Sequence, residues 1–166
     1  MKAIKQKKKP VVAIDTQILV WGVRRQGEPD QKQRARWLFK QLEDEQAYLI
    51  LPSVALSEYL IPIERKRHSA VIAELSRRFF IAPFGIECIS LAAALFAEHK
   101  TSLPSKQPHA RIAMKADVQI IATAVAYKAN RFYSGDKACR KIADESTNML
   151  VYDVPRIAPD MFADLD

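Results

Sequence analysis

The sequence predicts an α/β domain with a mostly parallel central sheet of about five strands and helices on both faces. Two observations carry that prediction. Short apolar runs recur along the chain, each stopped by an acid, a proline or a glycine. Between them lie longer segments with apolar residues at helical spacing. Val11–Ile14 is the clearest such run, apolar on both faces as a buried parallel strand must be. Asp15 follows it directly, at the carboxyl end of the strand, where open α/β sheets place their ligands. A plainer alternative stands beside that one: Asp15 caps a helix beginning at Thr16.

The elements follow in order. Thr16 to about Arg25 reads as a helix, and Gly27, Pro29 and Asp30 as a loop. Gln31–Glu45 places Ala35, Leu38, Phe39 and Leu42 on one helical face. Ala47–Leu51 is a strand stopped by Pro52, and Ser53 is suited to cap a helix that ends near Pro62. Arg65–Arg78 reads as a polar helix, Phe79–Ala82 as a strand, and Ser90 as the cap of a helix to about His99. Thr101–Pro108, polar and with two prolines, reads as a loop. Arg111–Ala129 is the longest helical signal, and Asp117 falls within its apolar face. Arg131–Ser134 is a strand, Gly135 a turn, and Asp136 opens a helix to about Glu145. Met149–Tyr152 is the last strand.

Length and composition suit one soluble domain: 166 residues, 49% hydrophobic and 27% charged. The expected division is a basic tail over 1–10, the domain over 11–153 and a C-terminal tail over 154–166. The formal charge is +7, but Lys2, Lys5, Lys7, Lys8 and Lys9 supply much of it. Without those five, 21 basic residues face 19 acidic ones. Such a tail either holds an anionic polymer or stays solvated. It does not read as a signal peptide, because Asp15 breaks the apolar run and no small-residue cleavage site follows. No run reaches the roughly 18 apolar residues of a membrane span, so no membrane partner is expected. Cys88 and Cys139 stand apart with no CxxC, as buried, reduced thiols of a cytoplasmic protein do. His68, His99 and His109 have no zinc spacing.

Four acids carry the chemistry. Asp15 and Asp136 both follow strands, so a parallel sheet sets them along one edge. Asp117 on an apolar helix face needs a cation, which is either a neighbouring base such as Lys115 or Arg111 or a metal ion. Glu58 poses a milder version of the same problem and also reads as a solvent-facing helix residue. Asp136 also reads as an N-cap, which is compatible with a metal role. If the four converge, they cannot all ionise without a counter-charge. Oxygen-only ligands favour Mg²⁺ or Mn²⁺, and such an ion suits attack on a phosphodiester. Lys115, Lys137, Arg140 and Lys141 are candidates to draw in substrate phosphates, though each also reads as part of a solvated face.

Four segments together resemble the PIN-domain family, and especially its VapC-type toxins. They are Val-Ala-Ile-Asp15-Thr16, Leu56-Ser57-Glu58-Tyr59-Leu60, Lys115-Ala-Asp117-Val-Gln-Ile-Ile-Ala-Thr-Ala and Ser134-Gly-Asp136. The resemblance implies a PIN-like fold and Mg²⁺- or Mn²⁺-dependent ribonuclease activity on an RNA substrate. It implies catalytic and metal-binding roles for Asp15, Glu58, Asp117 and Asp136, with Thr16 and Ser134 in support. It also implies a homodimer held inactive by a small antitoxin. Gln17 departs from the family, which often has Asn there. Non-toxin PIN nucleases of RNA processing carry the same acids, and a catalytically silent module that binds RNA or protein on this fold is a further alternative. A phosphatase of the haloacid dehalogenase type is disfavoured, because it needs an Asp where Gln17 stands.

Overall fold

The computed structural model describes residues 8–102 and 108–156. Most of the basic head, the centre of the Thr101–Pro108 segment and the last ten residues lie outside the described residues. Five strands form one parallel sheet: β1 (Val11–Ile14), β2 (Tyr48–Pro52), β3 (Phe80–Ala82), β4 (Arg131–Tyr133) and β5 (Leu150–Tyr152). Their order across the sheet is β3-β2-β1-β4-β5. The chain steps outward from β1 to β3, then crosses back to the other side of β1. The point of reversal lies between β1 and β4, where the crevice for a ligand opens in such sheets.

The helices are α1 (Thr16–Leu19), α2 (Pro29–Asp44), α3 (Ser53–Leu60), α4 (His68–Leu75), α5 (Ile86–His99), α6 (Pro108–Ala126) and α7 (Lys137–Ser146). Right-handed crossovers put the connections made before and after the reversal on opposite faces. Accordingly α5, α6 and α7 pack together, while α2 packs on the turn that continues α1. The core lies between these layers and the sheet. Ile14, Leu38, Ile50, Ile121 and Phe132 are among its fully buried members. Among the described residues no helix is long and apolar enough to cross a membrane.

Several boundaries differ from the expected ones. Thr16–Leu19 is α-helical, but Val20–Arg24 continues as a π-helical turn that ends at Arg25 in the left-handed region. Pro29 and Asp30 belong to α2 and not to a loop. Proline suits a first helical turn, where its missing N–H leaves nothing unpaired. Ser53 is already helical, and its hydroxyl accepts from the Phe84 amide instead of capping α3. The segment 65–78 yields a short 3₁₀ turn and then α4 over eight residues. Ser90 lies one turn inside α5, because Cys88 already belongs to the inward face continued by Ala92 and Leu95. Helix α6 starts at Pro108. It ends at Ala126 because Lys128 takes a left-handed conformation (φ 62°) and the Ala129 amide reaches back to the Ala124 carbonyl.

Candidate metal centre at the sheet switch point

The site starts with β1. Its last residue, Ile14, is in register with Tyr133 of β4, so Asp15 and Ser134 leave the sheet side by side. The Asp15 amide donates to the Tyr133 carbonyl at 3.0 Å. The Asp15 side chain, 4% exposed, accepts from the Thr16 amide at one oxygen and from the Ser134 hydroxyl at the other, both at 2.6 Å. Asp15 is therefore a helix cap and a buried charge at once. Ser134 also accepts from the Asp136 amide at 3.0 Å, which fixes the turn through Gly135.

Asp136 caps α7, accepting from the amides of Ala138 (2.6 Å) and Cys139 (3.0 Å). Glu58, half-buried on α3, accepts from the Thr16 hydroxyl at 2.6 Å. Asp117 on α6 faces the same space. Burial pushes its carboxyl up to about 7, and the charges of Asp15, Asp136 and Glu58 push in the same direction. Burial likewise raises Asp15 to about 6, against the opposing hydrogen bonds from Ser134 and Thr16, with Glu58 and Asp136 adding to the rise. The four acids thus act on one another across the crevice.

Among the described residues, no ion pair involves Asp15, Glu58, Asp117 or Asp136. Lys115 lies over the Phe96 ring at 5.9 Å and does not pair with Asp117. A base partner for Asp117, the alternative to a metal ion, is therefore missing among the described residues, and the charged groups that shift it are acids. As the side chains stand, no three His, Cys, Asp or Glu among the described residues form a ready ligand group. Asp15, Glu58 and Asp136 are each hydrogen-bonded to local donors. An oxygen-only donor set with excess negative charge nonetheless fits a hard divalent ion, which keeps waters between itself and its ligands.

A PIN-domain family model matches residues 12–145. The chain belongs to the PIN domain family. Its fold is similar to that of VapBC2 from Rickettsia felis bound to a DNA fragment from their promoter (14% identity, 86% of this chain and 98% of that one, TM-score 0.58). It is similar also to FitAcB from Neisseria gonorrhoeae (18%, 86% and 96%, TM-score 0.55) and to DNA-bound VapBC from Salmonella typhimurium (14%, 88% and 99%, TM-score 0.57). No curated protein is detectably similar in sequence.

The basic residues around the PIN-domain crevice differ in what they do. Arg140 donates to the Ser134 carbonyl at 2.7 Å and pairs with Asp153 at 3.4 Å, so it braces the turn that carries Ser134. Lys141 pairs with Glu145 one helical turn away. Lys137 and Lys115 are exposed, and neither has an ion-pair partner among the described residues.

Three further residues, Cys139, Trp21 and Gln17, belong to the site. Cys139 is a free, buried thiol. Burial holds it well above the usual thiol range, and the charges of Asp15 and Asp117 add to that. Its position one turn after Asp136 turns it back toward the acids, which only the α7 boundary reveals. Trp21 and Gln17 lie over Gly135: a Cβ there would overlap the indole and come 2.5 Å from the Gln17 Oε1. Gly135 is required by that close approach and not by an unusual φ. Of the three histidines, His99 is buried and bonds Ser146 at 2.8 Å.

Proposed function

We propose that this PIN domain is a divalent-metal-dependent endoribonuclease, the toxin of a toxin–antitoxin pair. One observation carries the reading. Asp117 is half-buried against three other acids at the sheet switch point, with no cation paired to any of them among the described residues. In this reading Asp15, Glu58, Asp117 and Asp136 hold Mg²⁺ or Mn²⁺, directly or through retained waters. The bound ion would supply an activated water and neutralise charge on the phosphoryl oxygens. The chain's own groups do the rest. Ser134 and Thr16 hold the carboxylates of Asp15 and Glu58 in place by their hydroxyl bonds. Asp136 is held by the α7 amides, and Arg140 by the Ser134 carbonyl. Lys115 and Lys137 are the exposed cations that would meet RNA phosphates.

The toxin assignment draws on the VapBC complexes to which the fold is similar, and it implies a small antitoxin protein that blocks the crevice. It also implies pairing of two copies. The exposed Ile86, Ile89 and Ile112 on α5 and α6 are apolar side chains that pairing would cover. The test is cleavage of RNA with Mg²⁺ or Mn²⁺ by the purified chain and by Asp15→Asn and Asp117→Asn. Each substitution should lower the rate roughly a hundredfold or more, while Glu43→Gln, on the exposed face of α2, should leave it unchanged. Undiminished cleavage by folded Asp117→Asn rejects the mechanism. Co-expression with the product of the neighbouring reading frame tests the toxin half: it should co-purify and suppress cleavage.

A further inference from the structure

The amino-terminal end of the sheet carries a second chemical signature, at the opposite end from the acids. Tyr48 opens β2 and Phe80 opens β3, the edge strand. Ile50 is the register partner of Phe80, so Tyr48, Ile50 and Phe80 share one face. The Tyr48 and Phe80 ring centres lie 6.1 Å apart, and those of Phe80 and Tyr127 lie 5.5 Å apart. Tyr48 is 52% exposed and Phe80 40%. Tyr48 and Phe80 are thus left open to water, with Tyr127 half-buried beside them, where a strand face would ordinarily be covered.

Cations surround this row. Arg77 and Arg78 are exposed and line a hollow of about 490 Å³ together with Tyr48 and Phe80. Lys128 follows Tyr127 at the end of α6. Lys8 and Lys9 run into Pro10, whose carbonyl accepts from the Tyr48 amide at 2.8 Å. None of these five cations takes part in an ion pair among the described residues. The nearby acids are fewer. Glu45 is engaged by Arg131 at 2.6 Å, and Glu87 by the Tyr127 hydroxyl at 3.3 Å. Asp44 remains, in the adjoining cleft with Lys8 and Lys9.

Open aromatic faces flanked by arginines are what a single strand of nucleic acid uses: bases stack on the rings and phosphates meet the guanidinium groups. We propose that Tyr48, Phe80 and Tyr127, with Arg77 and Arg78, form an exosite that holds single-stranded RNA remote from the acids. That the strand is RNA rests on the nuclease reading above. About 13 Å of β2 separates Tyr48 from Pro52 at the other end of the strand, so a long strand can engage both places and a dinucleotide cannot.

The experiment uses the full chain carrying Asp117→Asn and a fluorescent single-stranded RNA, followed by anisotropy. Tyr48→Ala and Arg77→Gln/Arg78→Gln should each weaken binding about tenfold. The double arginine variant should also lower the slope of log affinity against log salt by about 1.4. Tyr48→Phe should bind as the parent does. With Asp117 restored, the same variants should raise KM for the long strand and leave dinucleotide cleavage unchanged. Unaltered affinity and salt slope overturn the proposal. So does a loss in Tyr48→Ala that Tyr48→Phe shares, or variants that change the sedimenting mass and not RNA binding, which would mark a face covered by a second copy. If the parent cleaves no RNA but binding still depends on Tyr48 and Arg77, the nuclease reading fails and the exosite stands.

Discussion

At the scale of single residues, Asp117 is where charge and surroundings conflict most, and that conflict is measurable. In the folded chain its carboxyl gains a proton near pH 7 and that of Asp15 near pH 6, both well above the ordinary 3.8. The folded state therefore holds more protons than the unfolded state between about pH 4 and pH 7. The stability these two carboxyls contribute is greatest below that window and falls as pH rises through it. The melting temperature of the metal-free protein should drop between pH 5 and pH 8. Asp117→Asn removes the main source of repulsion, so it should melt above the parent at pH 8 and show a shallower pH dependence. Mn²⁺ added at pH 8 should raise the parent and leave Asp117→Asn little changed. A flat pH profile in the parent, with Asp117→Asn less stable throughout, rules out a shared acidic pocket. The conflict itself was readable in the sequence, because an acid three and four residues before Ile120 and Ile121 has nowhere apolar to belong. Cys139 was not, since nothing in its neighbours distinguishes a core thiol from one turned toward acids.

At the scale of elements, the turn between β4 and α7 joins two roles in one side chain. Asp136 caps α7 through its bonds to the Ala138 and Cys139 amides, and its charge acts on Asp117. The two roles separate by substitution. Asp136→Asn keeps an acceptor for the amides, and should cost less than about 0.5 kcal/mol of stability while lowering RNA cleavage strongly. Asp136→Ala loses the cap as well and should cost about 1 kcal/mol. Urea titration and cleavage rates on both variants check this; equal destabilisation by the two would mean that the cap contributes nothing. Element existence was legible here because strand runs such as Arg131–Tyr133 are bracketed by turn residues. Boundaries were less so. Ser53 and Ser90 carry cap chemistry in the sequence, yet tertiary structure gives Ser53 to the Phe84 amide and leaves Ser90 inside α5. Pro29 was misleading for the converse reason, since a proline serves a helix start as well as a loop.

At the scale of the whole molecule, strand order decides what the local patterns cannot. Strand β1 pairs with β2 on one side and with β4 on the other, although more than a hundred residues separate β1 from β4. Alternation of strands and helices predicted a parallel sheet, but no residue in β1 announces which strand lies beside it. That order brings Asp15 to Ser134 and lays Trp21 over Gly135, so the two halves of the chain share one core and one site. The molecule should therefore unfold as a single unit. Trp21 and Trp37 both lie before β2, so their fluorescence reports chiefly on the first part of the chain and on the Trp21 contact with Gly135, while circular dichroism follows the helices of the described residues together. In urea the two transitions should coincide. Phe132→Ala deletes a fully buried ring from β4 and should cost about 3–5 kcal/mol. That is a large share of a typical 5–15 kcal/mol, and it should move both midpoints together with the slope unchanged. If the fluorescence transition held its midpoint while the helical signal moved, the first part of the chain would be folding without β4, and the shared site at the switch point would have no structural basis.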